Sequence, residues 1–301
     1  YGASSVYFQS FVPVYGNPTT DGYFASFNFG AFSYFRQISV GRIPSYTLQE
    51  AQDMVNKIIN YESLADSPDD LWKANLIITV GANRNEQSQF VAQANYFINT
   101  YITSPPISGN PRGVFKNDTT GYVTFNYKDS VINELNRGSL ITNYIGHAGS
   151  NTWEMSLDDP GELTNTFFPF VLSMTCFTGR SGEPSYRGFN EKFILPSNKG
   201  AIGFVGSTGW SFSNSGNILN NYLLKAYSSD SLRKIGDIFA RATNYQAPDS
   251  TSFASRNTIN CYNLIGDPAV SLLLPRYPEF GISDGDYKLS NNHPSLREVI
   301  D

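Results

Sequence analysis

Apolar positions in this chain fall into two kinds of segment. Short continuous runs alternate with longer stretches in which apolar residues recur at helical spacing. The runs are Leu76–Gly81, Leu140–Gly146, Phe170–Thr175, Gly200–Gly206 and Ala269–Leu274, each of strand length and without polar alternation. Such runs fit strands buried on both faces, as in parallel sheets. Ile38–Ile43 reads as a further strand stopped by Pro44. Helical period is clearest after Thr47, where Thr47 and Glu50 form a capping box and Leu48, Ala51, Val55, Ile58, Ile59 and Glu62 define one expected buried face. A second helix is expected over about 88–102, with Val91, Ala94, Phe97, Ile98 and Tyr101 inward and Pro105-Pro106 as its stop. Asp129 is expected to cap a short helix closed by Gly138, and further helices fall near 215–228 and 231–243. Residues 1–35 and the Gly/Pro/Asn-rich stretch 104–126 predict loops and surface excursions.

Strands alternating with amphipathic helices predict an α/β fold, a mostly parallel sheet covered on both faces. In such sheets, sites lie at the C-terminal ends of the strands. Two runs end there on reactive side chains. One runs into His147, the only histidine outside the C-terminal tail, where His293 sits in a polar context. The other runs into Cys176, with Gly179 just behind. Taken alone, a cysteine is more often a small buried hydrophobe, and a lone histidine a satisfied core residue. At matching strand tips they form a candidate nucleophile and base.

Composition narrows the field. With 21 basic against 26 acidic residues the net charge is −5, which offers no basic stripe for nucleic acid. Aromatics reach 15% and charged residues only 16%, a balance that favours a secreted or surface protein. Cys176 and Cys261 are too few for a disulfide framework, and pairing would silence Cys176. No run approaches a membrane span. A metal hydrolase lacks ligands, since no His-x-x-x-His spacing occurs. Asn117-Asp118-Thr119 matches a glycosylation sequon, without meaning in a bacterial protein.

The blocks Asn143-Tyr144-Ile145-Gly146-His147-Ala148-Gly149-Ser150 and Ser173-Met174-Thr175-Cys176 resemble the two signature blocks of gingipain-type cysteine peptidases, peptidase family C25 of the caspase-like clan. Val40–Pro44, Ile59–Glu62, Gly200–Ile202 before Ser207-Thr208, and Asn263–Pro268 fit in the same order. The resemblance implies a caspase/gingipain-like three-layer αβα sandwich whose N-terminal part is truncated. It divides the chain into a peptidase region over 1–275 (a partial first lobe to 110, a catalytic lobe over 111–275) and a linker over 276–301.

The resemblance further implies a cysteine endopeptidase acting through a thioester acyl-enzyme. Cys176 would be the nucleophile, His147 the general acid/base, and the amides of Ala148 and Cys176 the oxyanion donors. Ala148 stands where the family has glycine, tolerable if φ there is negative, and Thr175 stands where it has alanine. The orienting glutamate of the family falls by spacing on Asn83, with Glu86 three residues on. Asn83 accepts a hydrogen bond but cannot stabilise a charged imidazole, so a plain dyad or a slower enzyme is expected; a simple turn residue is equally consistent. Ile145, Gly146, Met174 and Trp210 would line the specificity pocket, although Trp210 also reads as core. Gln89 falls where Arg-specific members have an acid, so a neutral P1 is expected. No cofactor is required. Gingipains bind structural calcium, for which Asp158, Asp159, Asp284 and Asp286 are candidates, equally read as solvated turns. A propeptide or a C-terminal secretion domain are implied partners beside peptide substrates. Two rival readings are an inactive surface-binding relative and a sortase-like processing peptidase of type IX secretion.

Overall fold

The computed structural model describes residues 14–27, 34–64, 70–81, 85–116, 127–149, 151–154, 157–181 and 187–274. In chain order the elements are α1 (Gly22–Ala25), α2 (Leu48–Glu62), β1 (Asn75–Gly81), α3 (Gln87–Phe97), β2 (Asn110–Phe115), α4 (Tyr127–Arg137), β3 (Ile141–Gly146), β4 (Ala148–Gly149) and β5 (Thr152–Trp153). Then come β6 (Phe170–Met174), α5 (Phe189–Ile194), β7 (Gly203–Ser207), α6 (Ser213–Ser228), α7 (Ile235–Gln246), α8 (Phe253–Cys261) and β8 (Tyr262–Gly266).

Six strands form one sheet in the order β2-β1-β3-β6-β7-β8, parallel throughout except for β8 against β7. β1, β3, β6 and β7 are buried almost to the last residue, which is why their sequences run apolar without alternation. Strand order reverses at β1: α3 carries the chain outward to β2, and α4 returns it past β1 to β3. Right-handed crossovers then set α3 and α4 on opposite faces. α6 packs with α3 and α7 in one layer, while α5 joins α4 in the other, giving a three-layer α/β/α sandwich. A Cys176–Cys261 disulfide does not form, both thiols being free.

Several elements depart from the sequence expectations. α2 is capped as expected, the Thr47 hydroxyl accepting from the Glu50 N–H at 3.1 Å, but the Glu50 carboxylate accepts from Tyr46 N–H. Its buried face is Met54, Lys57, Ile58 and Tyr61, while Leu48, Val55 and Ile59 point outward. The reason is Lys57, whose Nζ donates to the carbonyls of Ile194, Lys199 and Ala201 at 2.7, 3.0 and 3.1 Å and ties α2 to α5. Asp129 lies inside the first turn of α4 instead of capping it. The stretch after Pro105-Pro106 contains edge strand β2, and the closing strand is β8 instead of 269–274, where only Ser271 bridges Lys234. The 38–43 segment contributes one bridge, Arg42 to Ile265. β1, on one side of position 110, shares this sheet with the strands on the other. Residues 276–301, the sequon at 117, and Asp284, Asp286 and His293 lie outside the described residues.

Candidate active site

Three side chains converge at the C-terminal edge of the sheet, beside the point where strand order reverses. Glu86 immediately precedes α3, beyond β1; His147 follows β3; Cys176 lies two residues beyond β6. His147 Nε2 and Glu86 Oε2 are 2.7 Å apart. A carboxylate only accepts, so Nε2 carries a proton, and in the neutral ring Nδ1 then keeps the lone pair. The expected carboxylate-free histidine is thereby corrected: Glu86 is the acidic partner, and Asn83 lies outside the described residues. The ring of Phe90, one turn into α3, meets the imidazole edge-on at 6.2 Å between centroids.

The backbone of His147 is held from behind. Its carbonyl accepts from Tyr144 Oη at 2.5 Å and from Glu154 N–H at 3.0 Å. Tyr144 stacks on Trp153, 4.6 Å between centroids, and Trp153 Nε1 donates to Ser173 Oγ in β6 at 2.8 Å. Gly81 and Gly146 make room for this: a Cβ on either would fall within 2.8 Å of the Tyr144 hydroxyl. In an antiparallel ladder bonded and non-bonded pairs alternate. Since Glu154 bonds back to His147, the next pair, Ala148 with Trp153, is non-bonded, and the Ala148 N–H points away from the β4–β5 hairpin. Ala148 has no positive φ, so its methyl is accommodated.

Cys176 sits in a turn stiffened by β7. Phe177 has φ of 58° and donates to Gly209 O at 3.0 Å; Thr178 N–H returns to Cys176 O at 2.8 Å, and Gly179 N–H reaches Ser207 O at 2.8 Å. The Cys176 N–H has no hydrogen-bond partner among the described residues. Ser211 N–H donates to Sγ at 3.3 Å, and Sγ in turn lies 3.7 Å from Ser211 O. Burial pushes the Cys176 thiol above its ordinary value, and the Ser211 amide pulls it partly back. Among the described residues no direct hydrogen bond joins Sγ to the imidazole.

A cavity of about 160 Å³ opens between the two groups, lined by both and by Ile145, Gly146, Met174 and Trp210. Trp210 is 73% exposed and meets Phe177 edge-on at 5.1 Å, so it is a wall of the mouth and not core. Gln89 is exposed on α3 and stands outside the lining; Gln93, one turn on, takes that place. Ser211, Ser213, Asn217 and Asn220 complete the polar side and were not anticipated. The available signal was the pair of asparagines at buried positions of β3 and α6: Asn143 and Asn220 exchange amide hydrogen bonds at 3.1 and 2.9 Å. Cys261 is fully buried, its thiol raised to about 11 by desolvation.

Asp158 pairs with Lys128 at 3.1 Å, Asp159 faces Lys192 at 3.5 Å, and no metal-sized group of three His, Cys, Asp or Glu occurs among the described residues. Nor is any helix among them long and apolar enough to cross a membrane.

Comparison with known proteins decides the kinship. The sequence profile of peptidase family C25 matches residues 1–273. The chain belongs to peptidase family C25. Among solved structures it is similar to the Arg-specific cysteine proteinase gingipain R, RgpB, at a TM-score of 0.70 and 15% identity, covering 87% of this chain and 61% of that one. In the complex of Porphyromonas gingivalis RgpB pro- and mature domains, the TM-score is 0.72 at 16% identity, covering 87% of this chain and 63% of that one. A structure described only as a protease matches at 0.68 and 18%, covering 84% and 59%. At these identities the likeness establishes the gingipain-like fold. The chain spans about three fifths of the length of these solved relatives. No curated protein matches it.

Proposed function

We propose that this C25 chain carries the catalytic centre of a secreted or surface cysteine endopeptidase. The observation that carries the reading is the convergence of Cys176 and a carboxylate-paired His147 on one cavity at neighbouring strand ends. Cys176 loses its proton to His147 Nδ1 and its sulfur attacks the scissile carbonyl carbon. The Cys176 N–H, unpartnered among the described residues, and the Ala148 N–H, turned out of its hairpin, meet the developing oxyanion. Collapse expels the amine, which takes the proton from the imidazolium, and leaves a thioester. His147 then draws a proton from water, whose oxygen attacks the thioester and regenerates the thiol. Glu86 is a positioning residue, fixing the tautomer and favouring the imidazolium.

A neutral P1 side chain is favoured. Among the described residues no Asp or Glu lines the cavity, and its far wall is the first turn of α6, whose helix carries positive potential at that end. A buried cation there would lack a partner. RgpB is Arg-specific, and its mature domain forms a complex with its pro-domain; this chain would share a propeptide partner but not the P1 choice.

Labelling with an electrophilic peptide tests the reading. The protein is expected to form one thioether adduct, lost in Cys176→Ala and located by mass spectrometry on Cys176. Absence of labelling under reducing, folded conditions refutes the peptidase reading and leaves a binding module.

A further inference from the structure

We propose that Tyr144, Trp153, Ser173 and Thr178 form a buried network of positioning residues that fixes the separation of His147 and Cys176. The inference deepens the peptidase reading and rests on it.

Among the described residues no hydrogen bond or strand pairing joins the two reactive residues directly. The β3–β6 ladder ends at the pair Ile145 with Met174, two residues short of His147 and of Cys176, and Sγ makes no hydrogen bond to the imidazole. Side chains beneath the tips supply a tie instead. Tyr144 Oη donates to the His147 carbonyl at 2.5 Å. The Tyr144 ring lies flat on the Trp153 indole, 4.6 Å between centroids and 6° between planes. Trp153 Nε1 donates to Ser173 Oγ at 2.8 Å, and Ser173 Oγ lies 2.8 Å from Thr178 Oγ1. The indole only donates, so Ser173 accepts there and keeps its own proton for Thr178. Thr178 belongs to the cysteine turn, its N–H donating to the Cys176 carbonyl at 2.8 Å.

All four side chains are fully buried. A hydroxyl at that depth costs stability unless hydrogen-bonded, and alanine or valine would fill positions 173 and 178 without that cost. The Ser173 hydroxyl is spent on joining the indole behind the histidine to the turn that carries the cysteine. The indole itself is wedged against the rings of Phe189 and Phe193, at 5.3 and 5.5 Å between centroids, so the tie has a rigid middle. Fully satisfied buried polar networks of this kind hold one arrangement against its alternatives. Attack by the thiol needs sulfur and imidazole at one separation around the substrate carbonyl, and a misplacement of about 1 Å can cost about 100-fold in rate.

The test measures fluorogenic-peptide kinetics of the whole chain, with thermal melting, for Tyr144→Phe, Thr178→Val, their double variant and Thr178→Ser. Ser173→Ala stands in for Thr178→Val if the latter does not fold. Tyr144→Phe and Thr178→Val are each expected to lower kcat by about 10-fold or more with KM within about twofold. Thr178→Ser keeps the hydroxyl and is expected to stay within about threefold of wild type. Because both substitutions cut one tie, the double variant is expected to lose much less than the product of the single losses. Iodoacetamide at a pH above the thiol midpoint reacts with the sulfur alone, and its rate is expected to stay within about twofold of wild type. Losses that multiply in the double variant, a loss in Thr178→Ser as large as in Thr178→Val, or alkylation that falls in step with kcat overturns the inference and leaves the peptidase reading standing. So does an unchanged kcat in both single variants. If the wild type neither hydrolyses peptides nor labels at Cys176, the peptidase reading falls by itself, and amide hydrogen exchange decides the network: faster exchange at Thr178 and Gly179 in Tyr144→Phe supports it, and unchanged exchange there refutes it.

Discussion

Replacing Glu86 by glutamine isolates what its charge does. The amide keeps an oxygen that accepts from Nε2–H, so the imidazole retains its tautomer and its orientation; only the negative charge is lost. Two unit charges about 4 Å apart interact by about 1 kcal/mol in water and about 4 kcal/mol at an effective dielectric near 20. The His147 and Glu86 side chains are 35% and 40% exposed, which puts the pair toward the screened end. A loss of about 1–2 kcal/mol in stabilising the imidazolium follows, or roughly 5- to 30-fold in kcat/KM. Because the imidazolium forms only along the reaction path, the loss should fall on kcat with KM nearly constant. Glu86→Ala also frees the ring and should lose a further few-fold.

Fluorogenic-peptide kinetics with a thermal-melting control for both variants make the measurement. The reasoning is refuted if both retain wild-type kcat/KM within twofold, or if KM alone changes. It is also refuted if Asn83→Ala lowers kcat while Glu86→Gln does not, since the spacing argument would then have found the true partner.

Two further outcomes are expected. Burial raises the Cys176 thiol, so it stays protonated to higher pH than an ordinary cysteine. Its alkylation by iodoacetamide should therefore rise with pH to a midpoint above that of a free thiol; a midpoint below it, at the acid side, would show a preformed thiolate instead. At Gly179, an added methyl falls on the Gly206 carbonyl and crowds the Ser207 amide, inside the contact that fixes the cysteine turn. Gly179→Ala should cost about 1–3 kcal/mol, a fall of some 2–12 °C in Tm for a chain this size, and lower activity more than stability; unchanged melting and kinetics would refute this.

The central strands and their two reactive tips were legible because a strand buried on both faces must be apolar throughout. What escaped lay where that rule lapses. β2, Asn-Pro-Arg-Gly-Val-Phe, is an edge strand with one neighbour, largely open to solvent, and tolerates proline. β8 follows α8 without a turn, so its five residues merge with the helix pattern. The outward Leu48, Val55 and Ile59 of α2 misled because an amphipathic reading assigns apolar residues inward, whereas this helix buries Lys57 against three carbonyls. In the site, His147 and Cys176 end periodic segments, and position alone located them. Glu86 stands in the β1–α3 connection, where no period anchors a count. The same error placed Gln89 in the pocket where Gln93, one turn later, stands.

The cysteine turn itself argues that this edge of the sheet is organised around chemistry. Phe177 adopts a left-handed φ that a bulky L-residue avoids at a cost of about 1–2 kcal/mol. Such outliers persist only where the surroundings over-determine them, and here they do. Gly209 and Ser207, at and beyond the end of β7, accept from Phe177 and Gly179, and Thr178 closes on Cys176. Trp210 packs on the Phe177 ring, and Ser211 supplies the amide that reaches Sγ. A cysteine serving only as a small buried hydrophobe needs none of this, as Cys261 shows, fully buried at the end of an ordinary helix. The strained turn presents a part-buried sulfur, and an amide without a partner among the described residues, to the same cavity as His147. The methyl of Ala148 leaves that arrangement intact, because φ there is not positive and its N–H turns out of the hairpin. Departure from the family glycine is therefore no argument against catalysis.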